Sequence, residues 1–250
     1  MDTVVDTGCL QDYNLLMSRK ETIADNDIVH ILNRGVKKLP IFRQRSDLWR
    51  MVYSLFFLNS KNVPENWFRE AEKIGALNDL KWPKEWKERK PLVSILAFTI
   101  MPNHFHFILK QTAKGGIQQF MHKFTMSYSK FINSKYAESG SLFQGKFKSV
   151  IVDSDEFLRY LACYVMVKNT FELFSGGFPA AINNFDTAWK EALDYPFSSL
   201  TDYAGLKNSA ILDKNILGEI FPSTDSFKND SRDLILGQKL DIIDHGINDY

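Results

Sequence analysis

The 250-residue chain is poor in cysteine, with Cys9 and Cys163 as its two thiols. Two are too few for a disulfide framework, and without a CxxC pair nothing suggests a zinc site. Such sparse usage fits a reducing cytoplasm. Neither sign of charge dominates: 31 basic residues face 30 acidic ones, for a formal net charge of +1, so this is not a generally adhesive polycation. Long hydrophobic runs are missing as well. The longest apolar stretch, residues 92–109, is interrupted by Ser94, Thr99, Pro102, Asn103, His104 and His106 and cannot cross a bilayer. Near the start, Asp2, Asp6 and Asp12 stand where a secretory signal would carry basic and then apolar residues. No internal repeat or low-complexity tract is present. A cytoplasmic protein without membrane association is the expectation.

What is present is ordinary globular composition, 44% hydrophobic and 24% charged, which excludes a disordered or fibrous chain. The length allows one large domain or two small ones. The charge is unevenly spread. Residues 101–150 hold seven lysines against the single acid Glu138, a local balance of +6, whereas residues 221–250 hold six aspartates against three basic residues, a balance of −3. A basic block in a neutral chain implies an anionic partner at one face; a solvated helix face is the plainer alternative.

Hydrophobic patterning predicts the elements. Residues 27–36 read as a buried central strand ending at Gly35. Ser46 reads as a helix N-cap with Asp47 behind it, followed by Leu48, Trp49, Met51, Val52, Leu55 and Phe56 at helical spacing up to about Asn59. Residues 61–90, with Trp67, Trp82, Trp86, Pro64 and Pro83, read as an insertion containing a short helix near 65–75. Strands follow at 92–100 and 104–110, then a helix over 117–136 and a strand over 142–152. A helix over 155–167 is capped by Asp153 or Ser154, and a short helix spans 186–193. The order β-α-(insertion)-β-β-α-β-α predicts an α+β fold, a central antiparallel sheet with helices on one face. Residues 206–250 are weakly amphipathic and stay unplaced.

His104 and His106 lie two apart in MPNHFHFIL. On a strand they project from one face, about 7 Å apart along the chain, and can converge on one divalent ion; two surface histidines on an edge strand is the competing reading. Among the nine tyrosines, Tyr160 and Tyr164 sit one turn apart on the helix after the basic strand, where a phenol oxygen could act as nucleophile. Tyr128 and Tyr136 are assigned to the core and end of the preceding helix. His30 lies either near the site or in the core as a satisfied histidine. Phe143, Phe147 and Trp49 are candidates for base stacking, and His122 and His245 have no evident partner.

HILNRG (30–35), MPNHFHFIL (101–109), SYSKFINSKY (127–136), GSLFQGKFKSV (140–150), FLRYLACYVMVKNT (157–170) and YPFSSLTDY (195–203) occur in the order and at the spacing of the HUH single-tyrosine (IS200-like) transposases. The chain most resembles their REP-associated branch. The resemblance implies a ferredoxin-like α+β fold and a domain over 26–205 with the insertion at 61–90. Residues 1–25 and 206–250 are then extensions. It further implies that His104 and His106 hold Mg²⁺ or Mn²⁺, that Tyr164 (with Tyr160 as runner-up) attacks single-stranded or hairpin DNA, and that a 5′-phosphotyrosine link results. Arg34, Lys110, Lys114, Lys123, Lys130, Gln144, Lys146, Lys148 and Lys168 would contact the DNA, with the protein a monomer or a homodimer. The family's third ligand is an amide four residues after the tyrosine. Here that place is taken by Lys168, and Asn169 follows one residue late. An inactive, hairpin-binding derivative is the alternative reading.

Overall fold

The computed structural model describes residues 22–237. Cys9, His245, most of the expected N-terminal extension and the last part of the C-terminal one lie outside the described residues. Four strands, β1 (Ile28–Arg34), β2 (Val93–Ile100), β3 (His104–Gln111) and β4 (Lys148–Val152), form one sheet in the order β2-β3-β1-β4 with every neighbour antiparallel. The connections are a split βαβ pattern. α1 (Arg45–Phe57) links β1 towards β2, and α2 (Gly116–Tyr136) links β3 to β4. α3 (Asp155–Cys163), α4 (Phe185–Leu193) and α5 (Thr224–Leu236) follow β4.

Helices cover both faces of the sheet, not one. The reason lies in the strands. Phe105, Phe107 and Leu109 of β3 and Val29 and Ile31 of β1 point one way, into a core completed by Met51 and Leu55 of α1 and Phe120 and Phe124 of α2. Leu32 and Ile108 point the other way and need cover of their own; α3, α4 and α5 supply it through Leu161, Trp189 and Phe227. Residues 206–237 thus form part of the second layer, anchored by Leu217, Phe221 and Phe227. The insertion is likewise part of the first core. Trp67 and Trp82 stack near Phe57 at 5.5 and 6.4 Å, and Trp86 meets it edge-on at 5.8 Å.

Two boundaries differ from expectation. Gln44, not Ser46, is the N-cap of α1: its backbone N–H donates to Asp47 Oδ2 and its carbonyl accepts from Asp47 N–H. The buried Asp47 carboxylate accepts from Lys135 Nζ at 2.6 Å and Tyr136 Oη at 2.7 Å as well as from two backbone amides, so it ties α1 to the end of α2. The last strand begins at Lys148 rather than near 142. Residues 142–147 instead loop around the end of β1, where Gln144 N–H donates to Arg34 O and Asn33 Nδ2 donates to Gly145 O. The exposed edge of β2 is closed by residues 195–203. Tyr195 Oη donates to Ile100 O, Tyr203 Oη to Leu96 O, and the Thr99 and Ser198 hydroxyls meet at 2.8 Å, which removes an unpaired strand edge.

Candidate active site

The sheet register assembles the polar residues. Across β1 and β3, Leu32 lies opposite His106 and Arg34 opposite His104; across β1 and β4, Leu32 lies opposite Lys148. Alternation then puts His30, Arg34, His104, His106 and Lys148 on the sheet face that carries the second core. The His104 and His106 rings sit edge to face with centroids 5.0 Å apart, so the expected shared face is built. His30 joins them. Its Nε2 lies 2.9 Å from His106 Nδ1, and the two rings stack at 5.2 Å and 13°. His30 is therefore both buried and part of the site, where the sequence alone left these as alternatives. On the other side, His104 Nδ1 lies 2.7 Å from Asn103 Oδ1.

Burial removes the water that would solvate an imidazolium. It pushes His30 down to about 3. His106 is held well below the ordinary histidine range, first by burial and then by the positive charges of its neighbours, Lys168 and Arg34 among them. Both rings are neutral near pH 7, the form in which imidazole binds a metal.

The helical side of the site begins at Ser154, whose Oγ accepts from Phe157 N–H and caps α3, with Asp155 and Glu156 in the first turn. Beyond Cys163 the helix widens into a π turn, Tyr164–Lys168, in which Asn169 N–H reaches back to Tyr164 O. Tyr164 is 1% exposed. Its ring meets His106 edge-on at 5.6 Å and His30 at 6.5 Å. Tyr160, one turn earlier, is half-buried against the second core. The structure thus brings Tyr164 to the histidines.

The π turn also bears on the displaced amide. In an α-helix the residue four after Tyr164 would share its face. An i→i+5 turn shifts that place by one residue, to Asn169. The extra residue is absorbed by the backbone, and Asn169, buried with its Nδ2 donating to Val165 O at 3.2 Å, stands one turn beyond the tyrosine after all. The off-by-one asparagine was the sequence signal for this bulge. Lys168 is turned to other work. It is 2% exposed, with Nζ 2.5 Å from Glu172 Oε1, 5.2 Å from the Tyr164 ring centroid and 5.6 Å from that of Phe178. This is an ion pair in which the lysine is buried.

Among the described residues no group of three or more histidine, cysteine or acidic side chains is placed to hold a metal. The donors that face one another are the His104 and His106 imidazoles, with Asn169 one turn beyond Tyr164 on the neighbouring helix. Neutral imidazole nitrogens suit a divalent transition ion, and positions left to water and phosphate oxygens are those that suit Mn²⁺ or Mg²⁺.

The expected DNA contacts separate into two groups. Arg34 and Lys148 flank the histidines on the site face, and the exposed Gln144 and Lys146 lie in the adjoining loop. Lys110 is opposite Ile28 at the far end of β3, roughly 20 Å from His104 by the strand rise, and Lys114 lies beyond it. Lys123 and Lys130 sit on α2, across the sheet from the histidines, and Lys123 Nζ donates to Ser60 O at 2.7 Å. Phe143 is a core residue, 5.7 Å from Phe105, and not a stacking platform. Tyr128 is buried with Oη donating to Ile41 O, and Tyr136 binds Asp47, as their helix positions implied.

Part of the chain is similar to known proteins. Residues 81–167 match the family model for the IS200-like transposases. The matched IS200-like segment runs through β2, β3, α2, β4 and α3, and so contains His104, His106 and Tyr164 but not β1. A solved structure of a REP-associated tyrosine transposase bound to a REP hairpin aligns with 78% of this chain and 95% of its own, at 14% identity and a TM-score of 0.36. No curated protein matches the chain. Among the described residues no helix is long and apolar enough to cross a membrane.

Proposed function

We propose that the chain is a single-tyrosine DNA nicking and joining transposase acting on single-stranded, hairpin-bearing DNA. The observation that carries this reading is Tyr164 set edge-on 5.6 Å from His106, beside a His104–His106 pair on one strand face, within a segment that matches the IS200-like transposases. His104, His106 and Asn169 would hold Mg²⁺ or Mn²⁺, which when bound polarises a phosphoryl oxygen. Tyr164 Oη attacks the phosphorus and a P–O3′ bond breaks. The 5′ phosphate stays on the tyrosine, the phenol proton is lost to solvent, and the departing 3′ oxygen takes up a proton. Reversal by a 3′-hydroxyl rejoins the strand; the phosphotyrosine link conserves the phosphodiester energy, so no nucleotide cofactor is required. Arg34, Lys146, Lys148 and Gln144 would steer the backbone into the site through sequence-independent phosphate contacts.

End-labelled hairpin oligonucleotides with single-stranded flanks, incubated with Mn²⁺ or Mg²⁺, test the reading. Metal-dependent nicking that Tyr164→Phe abolishes and Tyr160→Phe retains supports it; nicking that survives Tyr164→Phe moves the nucleophile to Tyr160. A second reading, a hairpin-binding protein without catalysis, is favoured by the burial of Tyr164 beneath the Lys168–Glu172 pair. It predicts salt-sensitive DNA binding and no nicking with any metal.

A further inference from the structure

We infer that His30 is a positioning residue that selects the metal-competent tautomer of His106. The inference rests on the metal-binding reading above and deepens it. Neutral imidazole carries one N–H, and a ring that offers Nε2 to a metal must keep its proton on Nδ1. His106 Nδ1 faces a single ring nitrogen, His30 Nε2, at 2.9 Å. When His30 accepts there, the Nδ1–H of His106 is held and the Nε2 lone pair is left for the ion. The opposite arrangement, with His30 donating, puts the proton on His106 Nε2 and blocks coordination. Metal-bound histidines commonly have such a partner on the second nitrogen; here it is another histidine.

The fold makes His30 suited to this task. β1 pairs directly with β3, and Leu32 opposite His106 places His30 on the diagonal of the same face. Both rings are fully buried and nearly parallel at 13°, so neither can swing away nor exchange its partner for bulk water. Tyr164 packs edge-on against both, which links the orientation of the ligand to the position of the phenol. His30 lies outside the matched segment 81–167.

The test combines a metal-free and a metal-binding readout on the full chain. In protein labelled with ¹⁵N-histidine and free of metal, His106 is expected in the Nδ1–H tautomer. In His30→Phe, which keeps ring volume and removes the acceptor, it is expected to shift to the Nε2–H form or a mixture. Mn²⁺ affinity by calorimetry should fall about 10–100-fold in His30→Phe and recover in His30→Gln, whose Oε1 can accept in place of Nε2. Circular dichroism on each variant separates loss of the contact from loss of fold, and the wild-type tautomer needs no variant at all. An Nε2–H tautomer of His106 in the wild type, or undiminished Mn²⁺ affinity in a folded His30→Phe, overturns the inference while leaving the transposase reading intact. Absence of Mn²⁺ binding by the wild type overturns both.

Discussion

The Lys168–Glu172 pair makes an asymmetric prediction. The two groups are 2.5 Å apart, but the lysine side chain is 2% exposed and the glutamate 33%. Removing the lysine leaves a carboxylate that water can reach, and a methionine in its place fills the volume beside Tyr164 and Phe178 without the cost of burying an ammonium. Replacing buried ion pairs by apolar groups is commonly neutral or stabilising, so Lys168→Met should change unfolding free energy by less than about 1 kcal/mol. Removing the glutamate instead takes one carboxylate partner from a buried cation. Loss of one partner of a fully buried pair costs about 3–5 kcal/mol; with a third of Glu172 in solvent, screening reduces this to about 2–3 kcal/mol. For a chain of this size that corresponds to a fall in Tm of roughly 4–12 °C. Urea titration and thermal unfolding of Lys168→Met, Glu172→Ala and the double variant measure it. The double variant should regain most of the stability lost in Glu172→Ala. If Lys168→Met proves the more destabilising of the two single changes, Lys168 is held by attractions that the ion pair does not account for, and the reasoning fails.

Other expectations follow from the same kind of accounting of partners. Asp47 has its carboxyl held below the usual carboxylate range by Lys135, Tyr136 and two backbone amides, which together outweigh its burial. Its contribution is therefore complete above the unfolded carboxylate pKa, and it is lost as pH falls through the lower, folded value; Asp47→Asn should flatten the acid limb of a stability–pH curve. Arg34→Ala and Lys148→Ala should each weaken single-stranded DNA binding and lower the salt slope by about 0.7, whereas Lys130→Ala on the opposite layer should leave the slope unchanged. Trp67→Ala should cost about 3–5 kcal/mol in chemical denaturation if residues 61–90 belong to the core; a cost near zero would make the insertion an appendage.

The parts of the fold that hydrophobic period dictates were legible. The element order, the α+β class, the shared face of His104 and His106 and the helix carrying Tyr164 all follow from local spacing. What escaped depends on long-range partners. Helices on both sheet faces could be inferred only from Leu32 and Ile108 needing cover opposite the phenylalanines, and the sequence after 205 was too weakly patterned to name that cover. Ser46 lost the cap to Gln44 because Asp47 binds backbone amides ahead of the helix as well as α2. The seven-lysine block looked like one basic face, yet a helix across the sheet and the far end of β3 take five of its members away from the site. His30 could be read only as core or site, because whether a buried histidine has a ring partner is decided by strand register. The π turn had one trace in the sequence, the asparagine one residue late.

The central claim is that Tyr164 becomes covalently joined to DNA. A labelled hairpin oligonucleotide incubated with the protein and Mn²⁺, digested with protease and analysed by mass spectrometry, would locate the link. A 5′-phosphorylated nucleotide on the peptide containing Tyr164, formed only with metal and absent in His106→Ala, is the predicted result. A modified Tyr160 with Tyr164 untouched, or no adduct despite DNA binding that salt weakens, would contradict it.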